Sequence, residues 1–292
     1  LRNLPRPEPS LLRCATSKRA LAEVCEAEGL PIPRRLSLEL GIDFSRHAVI
    51  VRPEVTLRGK TGIRRVQESA ELAGAIAEAE RASGNGRAEL AEWIPGADIS
   101  ILARLNAGEA TVLALWDEWV ATLPDGSIAG LGVGMPSTFS ADQPEIRRCL
   151  SLVAKTFKNS QAIIILSLRV SDAGEAFIIE IHLGLGGDDI ADHLLPTALE
   201  GFNAFDALLE PSAAPTHRAA TSPQPCAMIR SSSNAWRCVT AESAMQLHQL
   251  VAATAPHDWD LPEALAHLPR AEDSCLVSGR VFRTTKFRTA EH

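Results

Sequence analysis

Glu180 and His182 stand two residues apart in Phe177-Ile178-Ile179-Glu180-Ile181-His182, a run otherwise made of strand formers. With period 2, Ile178, Glu180 and His182 share one face, and Phe177, Ile179 and Ile181 the other. A carboxylate buried without a partner is costly, so this pattern calls for a cation beside Glu180. Asp188, Asp189, Asp192 and His193 follow closely, and together with His182 they have the residue types of a hydrolase metal cluster. Capping of a helix that begins near Ile190 accounts for Asp188 and Asp189 more simply. Cations stand elsewhere as Lys18, Arg52 and Lys60, and further acids as Glu92 and Asp98.

These groups must be placed by regular elements. Ile163 to Val170 reads as a strand joined through Ser171-Asp172-Ala173-Gly174-Glu175 to the Glu180 strand. Pairing Val170 with Phe177 sets Ser167 opposite Glu180, with β-carbons about 5 Å apart. Residues 1–12, with Pro5, Pro7 and Pro9, read as an extended lead-in, and Ala15 to Glu28 as a helix capped by Thr16 or Ser17 and stopped at Gly29. Taken alone, Lys18 in its first turn is an ordinary solvated lysine. His47 to Pro53 reads as a strand, followed by a polar loop through Gly59-Lys60-Thr61-Gly62. That loop is no P-loop, because Glu54 stands where the first glycine is required and a strand follows. A helix is predicted over Glu68 to Ser83, strands over Ile99 to Arg104 and Thr111 to Trp116, and a helix over Glu145 to Phe157. Asp117 and Trp119 read either as groups at a substrate mouth or as a packed indole beside a solvated acid. Residues 211–234, rich in Ser, Pro, Ala and Thr, read as a linker, and 235–292 as a small C-terminal subdomain.

Taken in order, these segments resemble the ATP-grasp superfamily, most closely its carboxylate–amine (L-amino acid) ligases. The closing strand of that fold reads roughly Glu-Ile-Asn-x-Arg-x-Gly-Gly-Asp; Glu180, Gly186, Gly187 and Asp188 match it. His182 stands in place of the Asn, Gly184 in place of an Arg, and Ser167 in place of a metal-binding acid or amide. Lys18 falls where a lysine reaches the nucleotide phosphates, and Arg52 where a strand lysine does so. Gly59, Lys60 and Gly62 fall in the glycine-rich flap over the phosphates. Glu92-Trp93-Ile94-Pro95-Gly96-Ala97-Asp98 is similar to the hinge that lines the adenine pocket, Asp98 standing where an acid grips the ribose hydroxyls.

The resemblance implies an α+β fold in which two subdomains clasp a nucleotide, with 13–47 as entry helix and linker, 48–97 as lid and 98–210 as core. It implies ATP and Mg2+ as cofactors, Glu180, His182 and Ser167 at the metal, and Glu180, His182 and Arg52 in catalysis. With Ser167 in place of an acid, one metal position should be weak, with manganese tolerated. The implied reaction joins a small carboxylate to an amine, amino acids above all, through an acyl phosphate. The alternative is a degenerate member that binds a nucleotide or a partner without ligase activity. A further N-terminal βαβ domain, usual in this family, is not among these residues.

Composition adds limits. At 292 residues the chain is long enough for two or three subdomains. A net charge of −7 with no block of Lys and Arg argues against nucleic acid as a partner, and no apolar run approaches the ~20 residues of a membrane helix. Six cysteines without paired spacing predict neither zinc nor disulfides, which favours a reducing cytoplasm. A homo-oligomer is left open, as is the N-terminus, since the chain starts at Leu1 rather than Met.

Overall fold

The computed structural model describes residues 5–39, 41–186, 189–209, 223–230, 236–253, 260–261, 265 and 285–286. Helix α1 (Pro9–Thr16) starts on a proline, whose fixed φ suits the first helical position, so the extended lead-in ends at Glu8 rather than at residue 12. Ser17 then leaves the helical region at φ −132° and caps α2 (Lys18–Glu28) by accepting the N–H of Ala20, and Gly29 closes α2 in the left-handed region at φ 67°. The single helix expected from Ala15 is therefore two, with Lys18 as the first residue of the second.

Within the segment expected to be the lid lies a small antiparallel sheet of order β2-β1-β3, from β1 (Val49–Pro53), β2 (Arg64–Val66) and β3 (Ala88–Glu92). Helix α3 (Ser69–Ala82) lays Ala75 and Ala79 on Val49, Val51 and Val66. Strand alternation then turns Ile50 and Arg52 to the opposite face, where both line a cavity.

The core sheet has eight strands in the order β11-β10-β9-β6-β5-β4-β7-β8. They are β4 (Gly96–Asn106), β5 (Glu109–Thr122), β6 (Ile128–Met135), β7 (Ala162–Ser171), β8 (Ala176–Leu183), β9 (Cys226–Arg230), β10 (Trp236–Thr240) and β11 (Thr285–Lys286). Ala107 and Gly108, both at positive φ, make the two-residue turn between β4 and β5. Along this hairpin Ala103 pairs with Val112 but Leu102 with Ala114, so Leu113 is an inserted residue that shifts the register by one.

One face of the sheet is covered by α1, α2 and α4 (Pro144–Thr156), which pack Leu21, Ile146, Val153 and Phe157 on Ile99, Ile101, Leu166 and Leu168. Each such side chain contributes roughly 1.5–3 kcal/mol by leaving water. On the other face, Leu102, Ile163 and Ile165 lie under a π-helical turn (Ile190–Leu194), α5 (Leu195–Ala198) and α6 (Ala204–Leu209). The remainder of that face carries Asp98, Glu118, Ser167, Glu180 and His182 among apolar neighbours such as Trp116 and lines the cavity shared with β1.

Strands β9 and β10 extend the core sheet through β6, and α7 (Ala244–Ala252) packs there against Trp119 through Leu247 and Val251. Residues 226–230 are thus strand rather than linker, because Cys226, Ala227, Met228 and Ile229 are all buried. The flanking segments 210–222 and 231–235 lie outside the described residues, as does most of the expected C-terminal subdomain beyond residue 253. Asp117 and Trp119 do not stand at a substrate mouth. Trp119 is buried, with its ring 5.6 Å from that of His248. Asp117 accepts hydrogen bonds from the Thr138 N–H at 3.0 Å, from the Thr138 hydroxyl at 2.9 Å and from the Ser137 hydroxyl.

Candidate functional site

The β7–β8 hairpin sets the centre of the site. Its register near the turn is Val170 with Ala176, Arg169 with Phe177 and Leu168 with Ile178. Ser167 nevertheless pairs with Glu180, because Ile179 is an inserted residue in β8. The bulge also corrects the face assignment: Ile178 and Ile181 both enter the helix-covered core, whereas Ile179, Glu180 and His182 line the cavity. A strand without the bulge would have turned Ile178 with Glu180 into the site.

Of the cations that line this cavity, Lys18, Arg52 and Lys60 come from three different elements. Lys18 is buried, with 5% of the residue exposed, contrary to the base rate for a helix-start lysine. Its Nζ lies 2.9 Å from Glu180 Oε1 and also donates to the Thr56 hydroxyl, so it joins α2, the lid and β8. Arg52 donates from Nε to Glu89 Oε2 at 2.7 Å, and its terminal nitrogen is 3.4 Å from the carbonyl of the bulged Ile179. Lys60 stands on the loop between β1 and β2, with Nζ 3.3 Å from Glu118 Oε2 and 36% of its side chain exposed. Gly59 lines the cavity beside it, whereas Gly62 is packed against α3, where a β-carbon would come within 2.6 Å of Ala82.

Burial by itself disfavours charge on Glu180, yet Lys18, His182 and Arg52 outweigh it and hold the carboxyl below its usual range. Lys18 moves the same way for a different reason: burial lowers its proton affinity more than Glu180 raises it, and Arg52 adds repulsion. His182 Nε2 stands 3.6 Å from Glu180 Oε2.

At the other end, Glu92 is met by Arg34 at 3.2 Å and His47 at 2.9 Å. Trp93 lies under two guanidinium groups, Arg169 at 4.6 Å and Arg65 at 5.3 Å from its ring centre. Arg169 further binds the carbonyl oxygen of Ile94 at 2.8 Å and Asp98 Oδ1 at 2.9 Å. Gly96 has φ 142°, and a β-carbon there would meet the Val170 carbonyl oxygen at 2.0 Å, so only glycine brings the hinge this close to β7. The structure thus gathers Lys18, Arg52, Gly59, Lys60, Glu92, Trp93, Ile94, Asp98, Ser167, Glu180 and His182 around one cavity of about 630 Å³.

Glu118, Glu89 and Arg169 belong to the same environment and were not among the residues read from sequence. Glu89 is opposite Arg52 in the β1–β3 register, a signal available only once that pairing is known. Glu118 accepts from the Ser100 hydroxyl, and Ser100 Oγ is 2.9 Å from Ser167 Oγ.

The cavity fits a nucleoside triphosphate in its size and in the cations that line it, Lys18, Arg52 and Lys60 with Arg58 and Arg169. The proposed metal positions fit less well. Ser167 brings no charge and shares its oxygen with Ser100, and Glu180 is engaged by Lys18. Among the described residues, no three His, Cys, Asp or Glu side chains are grouped to hold an ion. Ser167, Glu180 and His182 therefore form a poor ligand set for two divalent ions. The hydrolase cluster gains no support among the described residues, and the capping expected of Asp189 is corrected, since it takes the cap position with its backbone alone and makes no side-chain capping bond; Asp188 lies outside the described residues.

No protein-family model and no curated protein matches the sequence. Solved structures do match. The L-amino acid ligase from Bacillus licheniformis superposes with TM-score 0.58 at 17% identity, over 78% of this chain and 56% of the other. Phosphoribosylamine–glycine ligase from Thermotoga maritima gives 0.59 at 18%, over 76% and 60%. Biotin carboxylase from Campylobacter jejuni, solved with β-γ-ATP, gives 0.56 at 16%, over 77% and 52%. The fold is therefore the ATP-grasp fold, in a chain that spans between half and two thirds of the length of these structures. Among the described residues no helix is long and apolar enough to cross a membrane.

Proposed function

We propose that this protein is an ATP-dependent ligase that joins a small carboxylate, an amino acid being the best candidate, to an amine. The observation that carries this reading is the convergence of Lys18, Arg52 and Lys60 on the Glu180 face of an ATP-grasp cavity. When bound, ATP supplies the phosphoryl group that turns a carboxylate into an acyl phosphate open to attack by the amine. Lys18 and Arg52 hold phosphate oxygens and neutralise charge as it develops, Lys18 as a compact ammonium and Arg52 as a planar fork oriented by Glu89. Glu180 keeps Lys18 aimed into the cavity, and His182 borders the cavity beside Glu180. Asp98, Trp93 and Ile94 offer a carboxylate, a ring and a backbone carbonyl to the nucleoside end.

One observation favours the second reading, a nucleotide- or partner-binding protein without transfer chemistry. Arg169 already occupies both Ile94 O and Asp98, and Glu180 already neutralises Lys18. Calorimetric titration with ATP and magnesium, followed by phosphate-release assays against amino-acid pairs, separates the two. Binding with amino-acid-stimulated phosphate release supports the ligase; binding without release supports the second reading; absence of binding at millimolar ATP sinks both as nucleotide proteins.

A further inference from the structure

Ser167 cannot hold a divalent ion as a carboxylate would, and the groups around it show a different arrangement. From the lid, Lys60 Nζ reaches Glu118 Oε2 at 3.3 Å. The other oxygen of Glu118 takes the Ser100 hydroxyl, Ser100 lies 2.9 Å from Ser167, and Ser167 pairs across the strands with Glu180. A chain of side-chain contacts thus runs from the lid loop through Glu118 and Ser100 to Ser167, the strand partner of Glu180, and the cation at its lid end is an ammonium. Resting on the ATP reading above, we propose that the Lys60 ammonium, seated by Glu118, is the fixed positive charge of this half of the site in place of a second divalent ion, with Glu118 as its positioning residue.

The chemistry of the groups agrees. Magnesium demands near-octahedral oxygen ligands, which two hydroxyls already bonded to each other do not supply. An ammonium needs only donors directed at acceptors, and it brings its charge on a flexible stem. Burial disfavours charge on Lys60, but Glu118, Asp98 and Glu180 overcome it and keep the proton on. Because Lys60 belongs to the lid, this charge arrives with the lid rather than with solvent ions.

The test counts ions directly. Manganese bound in the presence of a non-hydrolysable ATP analogue is measured by electron paramagnetic resonance, with analogue affinity measured in parallel. The wild type should hold one manganese per bound analogue, and the double variant Lys60→Met, Ser167→Asp should hold two. Glu118→Gln should weaken analogue binding about tenfold, because Lys60 is no longer seated; a carboxylate that merely cancelled the charge of Lys60 would give tighter binding on removal. Two manganese ions in the wild type, or tighter binding in Glu118→Gln, overturns the proposal while leaving the ATP reading intact. Failure of the wild type to bind the analogue overturns the ATP reading, and this proposal with it.

Discussion

Asp98 and Arg169 face each other across β4 and β7, and the 2.9 Å contact between them closes one end of the cavity before any ligand arrives. The same guanidinium covers Trp93 and takes the Ile94 carbonyl, so under the proposed ATP reading a nucleoside competes with a side chain for each of these groups. Asp98→Ala should weaken ATP binding by about 1.5–3 kcal/mol, the worth of charge-assisted hydrogen bonds. Arg169→Met should strengthen it, because the competitor is gone. Calorimetric titration of both variants decides this; unchanged affinity in each would place the nucleoside elsewhere.

The Lys18–Glu180 pair makes stability depend on pH at both ends of the scale. Glu180 has a depressed folded pKa, so its contribution is present above its ordinary value of 4.5 and is lost as pH falls through the folded value. Lys18 has a folded pKa below its ordinary 10.5, so its charged form is disfavoured by folding, and stability rises as pH climbs from the folded value toward 10.5. Urea unfolding across pH should show a smaller acid loss in Glu180→Gln and no alkaline rise in Lys18→Met.

Five cysteines, Cys14, Cys25, Cys149, Cys226 and Cys238, are buried free thiols. Burial pushes Cys14 up to about 11 and Cys25, Cys149 and Cys226 to about 12, which removes the reactive thiolate at neutral pH. Iodoacetamide followed by peptide mass spectrometry should find these four unmodified in the native protein and modified in urea. Rapid native labelling of any of them would show that its element opens.

Asp117 anchors the segment after β6 through three groups of Ser137 and Thr138. Asp117→Ala should destabilise the fold by about 1–3 kcal/mol for each donor left buried without an acceptor. Asp117→Asn, which keeps a carbonyl oxygen, should cost less. Urea denaturation compares them, with ATP affinity as the control that should not change.

Much of the site was legible because alternation and turn residues mark strands plainly. Glu180 could be placed on a strand face by alternation, whereas Lys18, Arg52 and Asp98 stood out through the ordered resemblance to ATP-grasp motifs. What escaped depended on register. Counting back from the Ala107-Gly108 turn puts Asp117 opposite Asp98; the insertion at Leu113 moves Glu118 there instead. Pro9 was read as a breaker although it starts a helix, and the short β9 was hidden between Ser- and Pro-rich flanks. The Arg52–Glu89 and Arg169–Ile94 contacts join strands distant in sequence, which local pattern does not reach.

The bulges at Leu113 and Ile179 each decide which of two adjacent residues presents its side chain to the ligand. The charge of the cavity is therefore encoded partly in the number of residues along two strands, not only in their identities. Removing either inserted residue would leave the pairs on both sides in register, whereas pairing the strands straight through with the residue retained would set Asp117 in place of Glu118 opposite Asp98, or Ile179 in place of Glu180 opposite Ser167. A comparison of this chain with another of the same fold that lacks either insertion must open a gap there, or it will match Asp117 where Glu118 belongs.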